Sequence, residues 1–180
     1  DLGKQLFDSN VSIIDNPLVK RGLRSRPFDG EGLATHKTAL IDKGVLMGWL
    51  LDSASARQLG AEPTGHASRG TGGAPGVSVT NVYMRAGTAS PRDLMHGIAR
   101  GIYVTELIGM GVNPVTGDYS RGASGFLIEN GAVSHAVTEI TIAGNLKDMF
   151  AALIPANDLQ FRYAINTPTL RIDGMTVAGG

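Results

Sequence analysis

Apolar residues along this chain recur in short runs or strict alternation more often than at helical spacing, and turn formers interrupt them at close intervals. Val11 to Ile14 is a short apolar run. Thr38 to Ile41 and Val45 to Leu51 flank Asp42-Lys43-Gly44, a hairpin signal, and the same pattern returns as Phe126 to Glu129, Asn130-Gly131 and Ala132 to Val137. LIDKGVL and LIENGAV look alike because similar turns demand similar letters, and one matched hairpin does not establish a duplication. Val77 to Met84 and Ala136 to Ala143 alternate as strands, Ile102 to Ile108 is rich in β-branched and aromatic residues, and Ala123 to Glu129 and Leu159 to Val177 also read as strand. Helical signals are fewer. Ser53 as N-cap predicts a short helix through Leu59, stopped by Gly60; Ser90-Pro91 predicts one over Arg92 to Ala99; Asn145 caps a third over Leu146 to Leu153. The stretches from Arg21 to Leu33 and from Glu62 to Gly76 are punctuated by glycine and proline and read as loops. The expected fold is α+β: a mainly antiparallel, glycine-rich β-sheet or barrel-like domain with two or three short helices.

With 180 residues the chain can bury one real core, so residues 1–180 are expected to form a single domain. Its 25 glycines follow no collagen-like period and indicate turns rather than disorder. Lys plus Arg and Asp plus Glu balance at 16 each and no basic run appears, which argues against direct nucleic-acid or acidic-membrane binding. The absence of cysteine rules out a disulfide, a thiolate nucleophile and a Cys-ligated metal. Neither a spanning apolar run nor a signal-peptide pattern is present, so the expected location is the cytoplasm.

Candidate chemistry concentrates in GMGVNPVTGDYSRGASGFLIENG, Gly109 to Gly131. A phosphate-cradling loop would need a Lys after its second glycine, but Asp118 follows Gly117, and a carboxylate there repels a phosphate. Turns explain the glycines instead. Asp118, Tyr119, Ser120 and Arg121 offer an acid, a phenol, a hydroxyl and a guanidinium in sequence; in a strand only Asp118 with Ser120, or Tyr119 with Arg121, could share a face. That argues against a catalytic triad and permits a binding patch or subunit interface. His66 and Arg69, in PTGHASRGTGG, are candidates for a peptide carboxylate or a partner's acid, with a solvated loop as the plainer account. Glu106 and Glu139 sit in apolar strand runs and must either face solvent or find a buried partner such as Arg121 or Arg171. The DGEG of Asp29 to Gly32 is half of a calcium loop without its remaining ligands.

Taken together, DLGKQLF, PFDGEGL, LLDSASARQLG, PTGHASRG, VTELIGMGVN, VTGDYSRGASGFLIENG, VTEITIAGNLKDMF and TLRIDGMTVAGG resemble, in order and over essentially the whole chain, the C-terminal part of the TldD/PmbA proteins, called modulators of DNA gyrase and associated with peptide maturation. GVNPVTGDYSRGASGF and EITIAGNLKDMF look like the PmbA (TldE) branch. The resemblance implies that the chain is the C-terminal part of a longer protein, that its partner is a TldD-type subunit or a second copy, and that its substrate is an unfolded peptide. TldD-type subunits resemble zinc peptidases through an HExxxH helix. No HExxxH occurs here, and His36, His66, His96 and His135 are widely separated. The expectation is therefore a chain with no catalytic residue, metal ligand or cofactor of its own, zinc being implied only in a TldD-type partner. The alternative is a regulatory module acting on another protein without proteolysis.

Overall fold

The computed structural model describes residues 1–179. In chain order the first half holds β1 (Ile13–Asp15), β2 (Thr38–Asp42), β3 (Val45–Leu46), α1 (Ser53–Leu59), β4 (Ala67–Ser68), β5 (Gly76–Val77), β6 (Val82–Met84) and α2 (Pro91–Met95). The second half holds β7 (Arg100–Ile108), β8 (Asp118–Glu129), β9 (Ala132–Asn145), α3 (Leu146–Ala151), β10 (Leu153–Pro155), β11 (Ile165–Asn166), β12 (Leu170–Ile172) and β13 (Thr176–Ala178). One sheet has the order β11-β6-β1-β2-β3, with β11 alone running parallel to its neighbour; another has the order β13-β9-β8-β7. Two strand pairs, β10 with β12 and β4 with β5, complete the fold. Both larger sheets stay open at their edges, so the expected α+β fold is realised with sheets, and no closed barrel forms among the described residues.

Both hairpin turns read from the sequence form, although β3 stops at Leu46 and does not run on to the expected Leu51. Asp42 pairs with Val45 across Lys43 and Gly44, at φ 48° and 82°; Glu129 pairs with Ala132 across Asn130 and Gly131, at φ 50° and 79°. Two successive positive φ values give the turn whose twist matches paired strands, and Asn-Gly adopts it at low cost. Two apolar clusters result. Phe7, Val11, Ile41, Met84 and Leu153 form one, with the Phe7 and Phe150 rings stacked at 4.6 Å. Ala123, Ile140 and Ile142 form the other, with Ile102, Val104 and Tyr119 packed against them.

Several boundaries differ from the sequence expectation. The N-cap of α1 is Asp52, whose carboxylate accepts from Ser55 N at 2.7 Å; Ser53 is the first helical residue, and its N–H and hydroxyl are held by Glu31. Helix α2 ends at Met95 instead of reaching Ala99, because Gly97 turns the chain at φ 83° into β7. Helix α3 ends at Ala151, and Leu153 begins a strand. The expected strand from Val77 to Met84 is divided between β5 and β6, which belong to different sheets. Strand β8 begins at Asp118, earlier than Ala123, and β9 is one strand where the pattern suggested two. Inside β9, Glu139 at φ 56° marks a bulge that shifts the alternation and hides its continuity.

Candidate functional site

The glycine-rich loop that precedes β8 is closed on itself. Asn113 N donates to Asp118 O, Gly117 N donates to Asn113 O, and the Asn113 side chain accepts from Val115 N, at 2.8, 2.8 and 2.9 Å. The Asp118 carboxylate accepts from Thr116 Oγ1 at 2.7 Å and Asn145 Nδ2 at 3.3 Å, so it fixes the turn against the end of β9. Within β8 the tetrad divides between two faces, as alternation requires. Asp118 and Ser120 are exposed. Tyr119 packs against the Ala123–Ile140–Ile142 cluster, and Arg121, paired with Ile142 across the strands, reaches the carbonyl of Leu107 at 3.3 Å while its Nε is buried without a partner.

His66 lies elsewhere. It is only 2% exposed, with Nε2 at 3.1 Å from an oxygen of Asp15, which is fully buried, and Nδ1 at 2.8 Å from Thr64 Oγ1. Asp15 also accepts from Thr80 N, at 2.9 Å to the nearer oxygen, and from the Thr80 hydroxyl. Burial by itself would push the Asp15 carboxyl up, but hydrogen bonds from His66 and Thr80 outweigh it and hold the group below the usual carboxylate value. Thr64 in turn accepts from Leu51 N at 2.8 Å. The network ties β1 to the loops on either side of β4 and β5. His66 is therefore not in a solvated loop, and it does not share a surface with Arg69, which is exposed just beyond β4.

The remaining candidates resolve simply. Asp29 accepts from Glu31 N, Leu33 N and Ala67 N, so its carboxylate organises backbone rather than a cation; burial raises its pKa, and the three N–H groups bring it below the usual value. Glu106 and Glu139 both face solvent. As to zinc, both ring nitrogens of His66 are occupied, the other histidines are exposed, and no group of three His, Cys, Asp or Glu side chains able to hold a metal is found among the described residues. The side chains present do not fit a zinc site.

Sequence reasoning missed Asp15 and Thr80 as partners of His66. The available signal was an aspartate directly after two isoleucines in a short apolar strand, where a carboxylate needs compensation. It also passed over Lys20, Arg21, Arg24 and Arg26, which share one loop without forming an uninterrupted run.

The described residues thus define the class as an open α+β domain with a long antiparallel meander and a buried Asp–His pair. The chain belongs to the PmbA/TldA metallopeptidase C-terminal domain family, which matches residues 1–179. It is 42% identical over 179 residues to the Metalloprotease PmbA of Escherichia coli O157:H7, covering 99% of this chain and 38% of that protein. Among solved structures, TldE from Thermococcus kodakarensis superposes with a TM-score of 0.86 at 28% identity, over 99% of this chain and 42% of that one. A candidate modulator of DNA gyrase from Thermotoga maritima gives a TM-score of 0.83 at 35% identity, over 98% of this chain and 41% of that one. The chain thus spans well under half the length of these relatives.

Proposed function

We propose that this domain belongs to a PmbA/TldE-type subunit that is not itself catalytic and supports a TldD-type zinc peptidase in the processing and maturation of an unfolded peptide. The observation that carries this reading is the fate of His66. In a family named for metallopeptidases, the one buried histidine has both nitrogens engaged, by Asp15 and Thr64, and serves the fold. The similarity to TldE supports the choice of partner. On this reading the open sheets give the peptide an edge to pair with, holding it through backbone hydrogen bonds with little demand on its sequence. The partner surface includes the end of the meander, where Met110, Val112 and Val115 are exposed beside Tyr119 and Arg121.

The test uses the full-length protein, alone and with a TldD-type subunit, assayed for bound zinc and for peptide cleavage. Zinc and cleavage are expected to follow the partner, and Ala in place of the exposed His36, His96 or His135 should change neither. One equivalent of zinc in the full-length protein alone, together with cleavage, would overturn the reading. A Tyr119→Ala, Arg121→Ala double substitution should weaken association with the partner in sedimentation; unchanged association would remove these residues from the interface. If neither zinc nor cleavage appears with any partner, the regulatory-module alternative, suggested by the gyrase-modulator neighbour, takes over.

A further inference from the structure

A cleft of about 480 Å³ opens between loop 16–24, β6 and the loop leading into β11. Lys20, Arg21 and Arg162 stand around it, Tyr83, Phe161 and Tyr163 supply aromatic surface, and no carboxylate lines it. Neither Lys20 nor Arg21 meets an acidic side chain elsewhere among the described residues.

The walls are fixed by buried amides. Asn81 donates to Asn16 O and Ser25 Oγ, both at 2.9 Å, and accepts from Arg24 N at 3.0 Å; it thereby clamps the basic loop to β6. On the opposite wall Asn166 accepts from Arg162 N and Tyr163 N, both at 2.9 Å, and donates to Tyr163 O at 2.7 Å. The Phe161 ring meets Tyr83 edge-on at 5.3 Å, yet Phe161 and Tyr163 remain 68% and 73% exposed. Arg21 has φ 60°, a left-handed conformation that glycine adopts freely and arginine only at a cost. A strained residue held by its surroundings is an observation from which a binding role can be argued.

A second hollow, of about 450 Å³, shares Arg162, Tyr163 and Asn166 with the first and runs along β11, the edge strand of its sheet. Its one acid, Asp158, has both oxygens engaged by Thr169. The two hollows together form a trough. An extended chain can follow the trough, pair with the free edge and place side chains on both the rings and the cations.

We propose that this trough is a docking site for an extended polypeptide segment that carries acidic and aromatic residues in alternation. This deepens the functional reading above and rests on it for the identity of the occupant as a processed peptide. To the sequence-tolerant backbone pairing described there it adds, at this trough, a preference for acidic character.

The experiment measures fluorescence anisotropy of a labelled peptide of alternating aspartate and phenylalanine with the full-length protein, beside a lysine and phenylalanine peptide and a single-stranded RNA oligonucleotide. The acidic peptide is expected to bind in preference to both, more weakly as salt rises, and at least about tenfold more weakly after Arg21→Gln with Arg162→Gln. Arg21→Gly separates binding from folding: it should keep or raise the unfolding temperature, since glycine suits that φ, and still weaken binding. Equal affinity for the two peptides, indifference to the arginine substitutions, or preference for the oligonucleotide would overturn the proposal, the last by assigning the trough to nucleic acid. Cleavage assays with a TldD-type partner distinguish the two readings. Partner-dependent cleavage that is indifferent to acidic content and to both arginines sinks the trough and leaves the function standing. Arginine-dependent binding with no cleavage under any partner sinks the function and leaves the trough as an acidic-peptide site.

Discussion

In the five-stranded sheet no strand exceeds five residues, and the connections around it are fastened by buried polar side chains; in the meander β7 to β9 the strands run to 9, 12 and 14 residues and pair along nearly their whole length. Asp15, His66 and Thr80 come from three distant parts of the chain and are at most 2% exposed, whereas the meander is joined by local turns and a small apolar cluster. The difference teaches where fragility should lie. A ladder of many backbone bonds loses little when one side chain is removed, but a buried polar network leaves an unsatisfied group behind when either partner goes.

The largest expected effect follows directly. Asp15→Ala or His66→Ala should destabilise the fold by about 3 kcal/mol or more, because each leaves a buried polar partner unsatisfied. Denaturant unfolding of the full-length protein measures this. A loss under about 1 kcal/mol for both would mean that the network relaxes into solvent and that the contrast between the two regions is wrong.

Close backbone approach comes next, and it brings the meander into the comparison. A Cβ on Gly111 would lie 1.5 Å from Ser120 O, and one on Gly125 would lie 2.1 Å from Tyr103 O. Gly111→Ala and Gly125→Ala should each cost about 2 kcal/mol or more, since the obstacle is backbone of a paired strand and cannot rotate aside. Gly117→Val and Gly131→Val, at φ 84° and 79°, should cost about 1 kcal/mol or more for conformational reasons. Gly48→Ala, with nothing nearby, is the control. If all five substitutions behave alike, steric approach is not what selects glycine in the meander.

Acid should divide the regions more gradually. The Asp15 carboxyl is held below its ordinary value in the folded state, so between the two values the unfolded chain binds more protons and stability rises with pH. The contribution is complete above the unfolded value, about pH 4, and is lost as pH falls through the folded one. Asp29 and Asp158, lowered by backbone N–H and threonine hydrogen bonds against the opposing effect of burial, act in the same direction. Unfolding free energy should therefore fall on acidification from roughly pH 6 to pH 3, and Asp15→Asn should flatten that slope. An unchanged slope in Asp15→Asn would place the acid sensitivity elsewhere.

What could be read from the sequence follows the same division. Local signals were reliable: Asp-Lys-Gly-Val and Glu-Asn-Gly-Ala gave both hairpins, and Ser90 with Pro91 gave the start of α2, because turn and cap chemistry acts within four residues. The β9 bulge at Glu139 was invisible because it breaks the alternation that identifies a strand. His66 could be singled out but not placed, since its partners Asp15 and Thr80 are joined to it only by tertiary folding. The basic trough was hidden for the same reason: Arg162 lines the same cleft as Lys20 and Arg21 only once β11 pairs with β6, which no local pattern announces.

The smallest effect concerns the loop between β7 and β8, where glycines and an Asp-Tyr-Ser-Arg sequence suggested a ligand site most strongly. Its N–H groups are turned inward: Gly117 N donates to Asn113 O, Asn113 N donates to Asp118 O, and Val115 N and Thr116 N donate to the Asn113 side chain. They are not free to surround a phosphate, and Asp118 adds negative charge at the same point. ATP or a dinucleotide should therefore leave the unfolding temperature unchanged. Asp118→Ala, which removes exposed hydrogen bonds to Thr116 and Asn145, should cost under about 1 kcal/mol, far less than Asp15→Ala in the other sheet. A nucleotide-dependent rise in unfolding temperature that disappears in Asp118→Ala would show that the loop opens to receive a ligand, and the meander would then carry a binding site in what is otherwise its most self-contained turn.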